Sequence, residues 1–160
     1  MRVVVSDAGP LICLGRLDLL GLLPALFAEV QVPDQVILEC TSRWQSPDAA
    51  RITAAVVQGW LTPCTPLQMM EGPLGRGERA AIARALAIGA SLLTDDQEAR
   101  ELAETLQLTV VGTLGILIRS KQAGLLPAVA PLIQRLRIGG QRFGHAVVLQ
   151  VLSAAGEAPE

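Results

Sequence analysis

The stretch Val3-Val4-Val5-Ser6-Asp7 constrains this chain more than any other. Three β-branched residues in a row, with no polar alternation, read as a strand covered on both faces, the habit of a parallel sheet. Asp7 stands at its downstream tip, and Gly9 and Pro10 end it. Pro10 suits the first turn of a following helix, where no amide partner is needed and φ is already helical. In open α/β sheets ligands gather at the carboxyl ends of strands, so Asp7 is either a reactive group at such an edge or the cap of the helix starting near Pro10. The choice turns on whether other acids converge on it.

A chain of 160 residues is enough for one domain with a core, read here as residues 1–155 followed by a tail at 156–160. Hydrophobic residues are 51% and aromatics 2%, so the core is built from Leu, Val, Ile and Ala, which favours helices packed on a small sheet. A net charge of −2 exerts no global pull on polyanions, and any nucleic-acid contact needs a local basic patch. The scarcity of aromatics excludes the single-strand-binding modules built on a stacking platform. Cys13, Cys40 and Cys64 are widely spaced, with no C-x-x-C pair and only His145 as a partner. They read as free thiols of a reducing compartment, not a zinc site. Met1 and Arg2 lead straight into the first strand, without room for a signal peptide. The apolar run from Leu17 to Phe27 holds Asp18 and Pro24 and is too short to cross a bilayer. The expectation is a soluble cytoplasmic protein without membrane contact.

Further along, Val30 to Val32 reads as a brief strand ending at Pro33, after which Pro33 and Asp34 open a helix. Val36, Ile37 and Cys40 share its apolar face, and Glu39 flanks that face where it can reach over the sheet edge. Taken alone, Glu39 is more simply a solvated surface residue. Ser46 and Pro47 start another helix, which Gly59 ends. Trp60 to Cys64 reads as an edge segment and Leu67 to Gly77 as loop. The helix from Glu78 to Ile88 has Ala81, Ile82, Ala85 and Leu86 as its stripe, with Glu78 in the first turn on the same side. Ser91 to Thr94 reads as a second buried strand, followed at once by Asp95 and Asp96. Asp95 and Glu98 have capping-box spacing, which leaves Asp96 as the functional candidate of the two. Helices follow from 97 to 106, from Thr113 to Lys121, from Pro127 to Arg137 and from about His145 to Ala155, with a strand from Leu108 to Val111.

Strands alternating with helices predict a parallel sheet with right-handed crossovers, which brings the tips after Asp7 and Thr94 to one edge. Helices entering at Pro33 and Gly77 add Glu39 and Glu78 there. Four carboxylates in one place repel and shift one another's proton affinities unless a divalent cation sits among them. Hard oxygen ligands without His or Cys suit Mg²⁺ or Mn²⁺, which help generate hydroxide for phosphodiester cleavage.

At these residues the sequence resembles the PIN-domain family, and more closely a prokaryotic branch of VapC-like toxins and predicted nucleic-acid-binding proteins. The resemblance rests on V-V-V-S-D-A-G-P-L-I at the start, V-P-x-x-V-x-x-E ending at Glu39, L-G-R-G-E ending at Glu78, L-L-T-D-D ending at Asp96, and G-T-L-G from Gly112. It implies a three-layer α/β/α fold with a central parallel sheet. It also implies a Mg²⁺- or Mn²⁺-dependent ribonuclease, commonly the dimeric toxin of a toxin–antitoxin pair, with RNA as substrate and a small antitoxin as partner. The family's four acids fall on Asp7, Glu39, Glu78 and Asp96. The ion falls to Asp7, Glu78 and Asp96, with Asp95 a further candidate and Ser6 and Thr94 in support. Gly9 stands where the family often has Ser or Thr, Glu78 where Asp is common, and no aromatic follows the fourth acid. Arg76, Arg79, Arg119 and Lys121 are the basic residues placed to meet RNA phosphates.

Two other readings compete. In a haloacid-dehalogenase-like phosphatase, V-V-V-S-D would carry the nucleophile, but Gly9 occupies the place of the acid that chemistry needs. A PIN-like binding module would keep the acids while docking a partner, as the sparse basic content near them allows.

Overall fold

β1 (Val3–Ser6) is the middle strand of a five-stranded sheet, with β2 (Glu29–Pro33) and then β3 (Thr62–Cys64) on one side and β4 (Ser91–Leu93) and then β5 (Val110–Val111) on the other. Every pairing is parallel, with Val4 opposite Val30 and Ser91, and Val5 opposite Gln31 and Leu92. Val4 and Val5 are fully buried, as a strand without polar alternation requires. The computed structural model describes residues 2–158. Among them are nine helices: α1 (Ala8–Arg16), α2 (Leu22–Leu26), α3 (Asp34–Thr41), α4 (Pro47–Val57), α5 (Arg76–Ile88), α6 (Gln97–Thr105), α7 (Thr113–Gln122), α8 (Ala130–Ile138) and α9 (His145–Ala154). None is long and apolar enough to cross a membrane. The chain divides into two compact units, one ending at Thr113 and one beginning at Leu114, and the first contains the whole sheet.

From β1 the chain steps outward to β2 and β3, then crosses back through α5 to β4 and on to β5. Right-handed crossovers therefore put α1 to α4 on one face and α5 and α6 on the other, and α5 packs on β1, β2 and β4. The winding reverses between β1 and β4, where the amide of Asp7 donates to the carbonyl of Leu93 at 2.8 Å. The carboxyl ends of these two strands flank the crevice that such a reversal opens.

Sequence patterning accounts for most elements and the structure corrects several. α1 starts at Ala8, directly after Asp7, with Pro10 within its first turn. α5 starts at Arg76, two residues before Glu78. Its buried side is Ala80, Ala81, Ile82 and Ala85, whereas Leu86 is 40% exposed because the helical period carries it off the stripe. Small residues there let α5 lie close on the sheet, in one cluster with Val5, Leu92, Ala99 and Ala103. Ser46 caps α4 through the amide of Ala49, as its position before Pro47 predicts.

In the second unit, α8 starts at Ala130 and not at Pro127. Val129 precedes it and has no side chain to cap its free amides. Glu157 does so from a distance, accepting from Val129 N at 2.7 Å and Ala130 N at 3.0 Å while pairing with Lys121 at 3.0 Å. Glu157 is thus held in place, contrary to its assignment to a frayed tail.

Ile82 lies at the centre of the packing between α5 and the sheet, so Ile82→Ala is expected to cost about 2–5 kcal/mol. Urea unfolding checks this, and an unchanged midpoint refutes the placement of the core.

Candidate active site at the carboxyl edge of the sheet

Asp7 directly follows β1 and is 5% exposed. Its Oδ1 accepts from the Ala8 amide at 2.8 Å, which makes it the cap of α1, and its Oδ2 accepts from the Thr94 hydroxyl at 3.0 Å. The two readings left open by the sequence therefore hold together: Asp7 caps a helix and also meets the tip of β4. Thr94 is fully buried, and its Oγ1 also accepts from the Asp96 amide at 3.2 Å. One hydroxyl thus links the first acid to the backbone of the last. Ser6, expected to lend a hydroxyl to the acids, instead donates to the carbonyl of Asp7 at 2.9 Å.

Glu39 and Glu78 arrive from α3 and α5 and both bind the start of α5. Glu39 Oε1 accepts from the Gly77 amide at 3.1 Å, and Glu78 Oε2 accepts from the Gly75 amide at 3.1 Å. Glu39 is largely exposed along its length, yet its carboxylate turns onto the neighbouring helix and not into bulk solvent. Gly77 makes room for it, since a Cβ at that position would stand 2.3 Å from Glu39 Oε1. The L-G-R-G-E motif contains this seat, but patterning alone does not distinguish it from a loop glycine.

The electrostatics tie the four acids together. Burial raises the proton affinity of Asp7 above the ordinary range, hydrogen bonds from Ala8 and Thr94 oppose it, and the charges of Glu39 and Asp96 add to it. Burial likewise raises Glu39, against its bond from Gly77, and the charge of Glu78 raises it further. Glu78 is raised by burial, against its bond from Gly75, and then by Asp96, Asp7 and Glu98. Cys40 reports on the same field: burial first, then Glu39, Asp7 and Asp48, push its thiol up to about 12. Its Sγ lies 4.0 Å from the carbonyl of Ala8.

The cap expected of Asp95 is made by Asp96. Asp96 caps α6, its Oδ2 accepting from Ala99 N at 2.8 Å. Asp95 instead binds Thr113, accepting from its amide at 2.7 Å and its hydroxyl at 2.5 Å. The charge of Asp95 acts on Cys13, whose thiol burial and then Asp95 push up to about 11. Asp96 keeps its place beside the other acids while also capping, and Asp95 is turned elsewhere. Thr113 escaped notice in the sequence because its partner lies 18 residues away.

Among the described residues, no three His, Cys, Asp or Glu side chains stand close enough to form a metal cage. The expected ligands Asp7, Glu78 and Asp96 share an electrostatic neighbourhood, each drawn toward a backbone amide, and Asp95 is not part of it. The donor chemistry, all carboxylate oxygen, fits a hard divalent cation. Two of the four basic residues expected to meet phosphate are engaged: Arg79 donates to the carbonyl of Met70 at 3.1 Å, and Lys121 pairs with Glu157. Arg76 and Arg119 are exposed.

Because the folded chain holds protons on Asp7, Glu39 and Glu78 more readily than the unfolded one, these groups lower stability as pH rises above the ordinary values of 3.8 and 4.5. Asp7→Asn removes one contributor. In metal-free buffer it is expected to melt above the parent at neutral pH, by a margin that shrinks toward about pH 4. A lower melting temperature for Asp7→Asn at neutral pH contradicts this.

Comparison with known proteins bears on the whole chain. The family model DUF3368, a PIN domain, matches residues 3–157. Among solved structures, a PilT N-terminus domain protein, SSO1118, from the hyperthermophilic archaeon Sulfolobus solfataricus P2 has a similar fold, with a TM-score of 0.52, 12% identity, and coverage of 89% of this chain and 98% of that one. No curated protein matches. The parallel α/β sheet and the near-complete family match lead to one conclusion: this chain belongs to the PIN domain family.

Proposed function

We propose that this chain is a Mg²⁺- or Mn²⁺-dependent endoribonuclease that hydrolyses RNA phosphodiesters. PIN domains are typically nucleases and generally use divalent metal ions. The observation that carries the reading is the buried Thr94 hydroxyl, which ties Asp7 to Asp96 at the switch point of the sheet, within the field of Glu39 and Glu78. Burial and neighbouring carboxylate charge, which together raise the proton affinities of Asp7, Glu39 and Glu78, make a poor device for stability and a good one for attracting a cation.

Asp7, Glu78 and Asp96 would hold the ion, which when bound supplies charge neutralisation and makes water more acidic. The chain's own residues do the rest. The amides of Ala8 and Ala99 each fix one carboxylate oxygen, of Asp7 and Asp96, and leave further lone pairs on both groups. Thr94 holds the second oxygen of Asp7, so the first acid is orientated by two donors. Glu39 and Glu78, with raised proton affinity and open to solvent, suit the transfer of a proton from water.

The motif resemblance supports a finer reading, in which the protein is the cytoplasmic, dimeric toxin of a pair and is neutralised by a small antitoxin. A binding module with weak catalysis is the second reading. It is favoured by the engagement of Arg79 and Lys121 in structural contacts.

Purified protein incubated with mixed RNAs and Mn²⁺ separates the two. Cleavage is expected to vanish with chelator and to fall at least about a hundredfold in Asp7→Asn and Asp96→Asn, with a smaller loss in Asp95→Asn. Cleavage that survives Asp7→Asn sinks the proposal, and equal losses at Asp95 and Asp96 overturn their ranking. Gly77→Ala puts a methyl group where Glu39 sits, while alanine suits a helix better than glycine by up to about 1 kcal/mol. It is expected to stay folded, with activity lowered as far as in Glu39→Gln. Full activity in Gly77→Ala would show that the seat of Glu39 is irrelevant.

A further inference from the structure

The bend after α3 holds an indole in the open: Trp44 is 74% exposed. Its turn is tied down, with Ser42 Oγ donating to the carbonyl of Glu39 at 3.1 Å and Ser46 Oγ donating to that of Arg43 at 2.9 Å. The side chain is therefore presented by an ordered backbone. Trp44 follows Glu39 by five residues, so their Cα atoms lie within about 19 Å even for an extended chain, and the last turn of α3 brings them closer.

Two guanidiniums stand close to Glu39. Arg43 comes four residues after Glu39, and Arg76 precedes Gly77, whose amide holds the Glu39 carboxylate. Both are exposed. Among the described residues the ion pairs are Arg51 with Asp18 and Lys121 with Glu157, so neither Arg43 nor Arg76 is neutralised by one. Composition rules out a platform of several aromatics, yet one indole suffices for one base, and every base has a face to stack.

We propose that Trp44, Arg43 and Arg76 form a docking position for single-stranded RNA beside the acid cluster, the indole stacking on a nucleobase and the guanidiniums taking flanking phosphates. The inference rests on the ribonuclease reading and assigns the place where the strand docks. A protein partner would also welcome an exposed Trp. Unpaired cations on two elements around an acid assigned to phosphodiester chemistry favour the polyanion.

The test uses the full chain with Trp60→Phe, which leaves Trp44 as its sole indole of two, and Asp7→Asn, which keeps bound RNA whole. A short dye-labelled oligouridylate is titrated in Mg²⁺, with anisotropy reporting binding and indole emission reporting stacking. Binding is expected to quench Trp44, and Trp44→Ala to raise Kd roughly 5- to 150-fold while Trp44→Phe retains most affinity. Arg43→Ala and Arg76→Ala should each reduce the salt slope by about 0.7. Thermal melts confirm that these exposed-site variants stay folded. Tight binding with no quench and an unchanged Kd in Trp44→Ala overturns the inference and leaves the ribonuclease reading standing. Failure of the parent chain, with Asp7 intact, either to bind or to cut the strand brings down both.

Discussion

Backbone amides, not cationic side chains, hold the carboxylates at the sheet edge, and most of the site follows from that. The start of α1 holds Asp7 through Ala8, the start of α6 holds Asp96 through Ala99, and the start of α5 holds Glu78 and Glu39 through Gly75 and Gly77. A helix N-terminus is worth about half a positive charge, enough to fix a carboxylate but not to cancel it. Burial therefore keeps the proton affinities of Asp7, Glu39 and Glu78 raised despite these amides, and the neighbouring carboxylates add to it. Arginines in the same places would neutralise the cluster and leave nothing to attract a cation. The fold can bring these N-termini together because the winding of the sheet reverses between β1 and β4.

Such seats need backbone at close range, which explains two glycines that serve space, not turn geometry. A Cβ at Gly77 would meet Glu39 Oε1 at 2.3 Å, and one at Gly112 would meet Asp95 Oδ1 at 2.9 Å. Neither has the positive φ for which glycine is usually recruited. In each case a carboxylate occupies the volume where a side chain would begin, so the acid and its glycine work as a unit even when far apart in the chain.

The parallel sheet was legible because an unalternated run such as Val3 to Val5 has few other ways to be buried, and Asp7 was legible as the residue at its tip. Glu39 and Glu78 were harder. On their own helices they resemble surface and dipole residues, and only the crossing of α3 over the start of α5 brings them together. The pattern missed contacts between distant segments: Glu157 capping α8, Thr113 holding Asp95, and the diversion of Arg79 to the Met70 carbonyl. In the first two the local sequence lacks a partner that a residue far along the chain supplies, and in the third a loop carbonyl nine residues back takes up the guanidinium. Periodicity carries no information about such pairs.

The run Thr94-Asp95-Asp96 shows how adjacent acids acquire separate duties. β4 ends at Leu93, and Asp96 keeps extended backbone angles, φ −75° and ψ 127°, before α6 begins. Alternate residues of extended chain face opposite sides. Thr94 and Asp96 therefore share a side, where the Thr94 hydroxyl reaches Asp7 and the charge of Asp96 is felt by Asp7 and Glu78. Asp95 faces the other way, over Gly9 and Gly112, and grips Thr113 where the first unit ends. Capping-box spacing implies that Asp95 is the structural residue and Asp96 the spare one. Two-residue alternation reaches the same division by a sounder route, because it fixes which side of the chain each acid faces, and a cap at Asp96 does not remove it from the side that Asp7 shares.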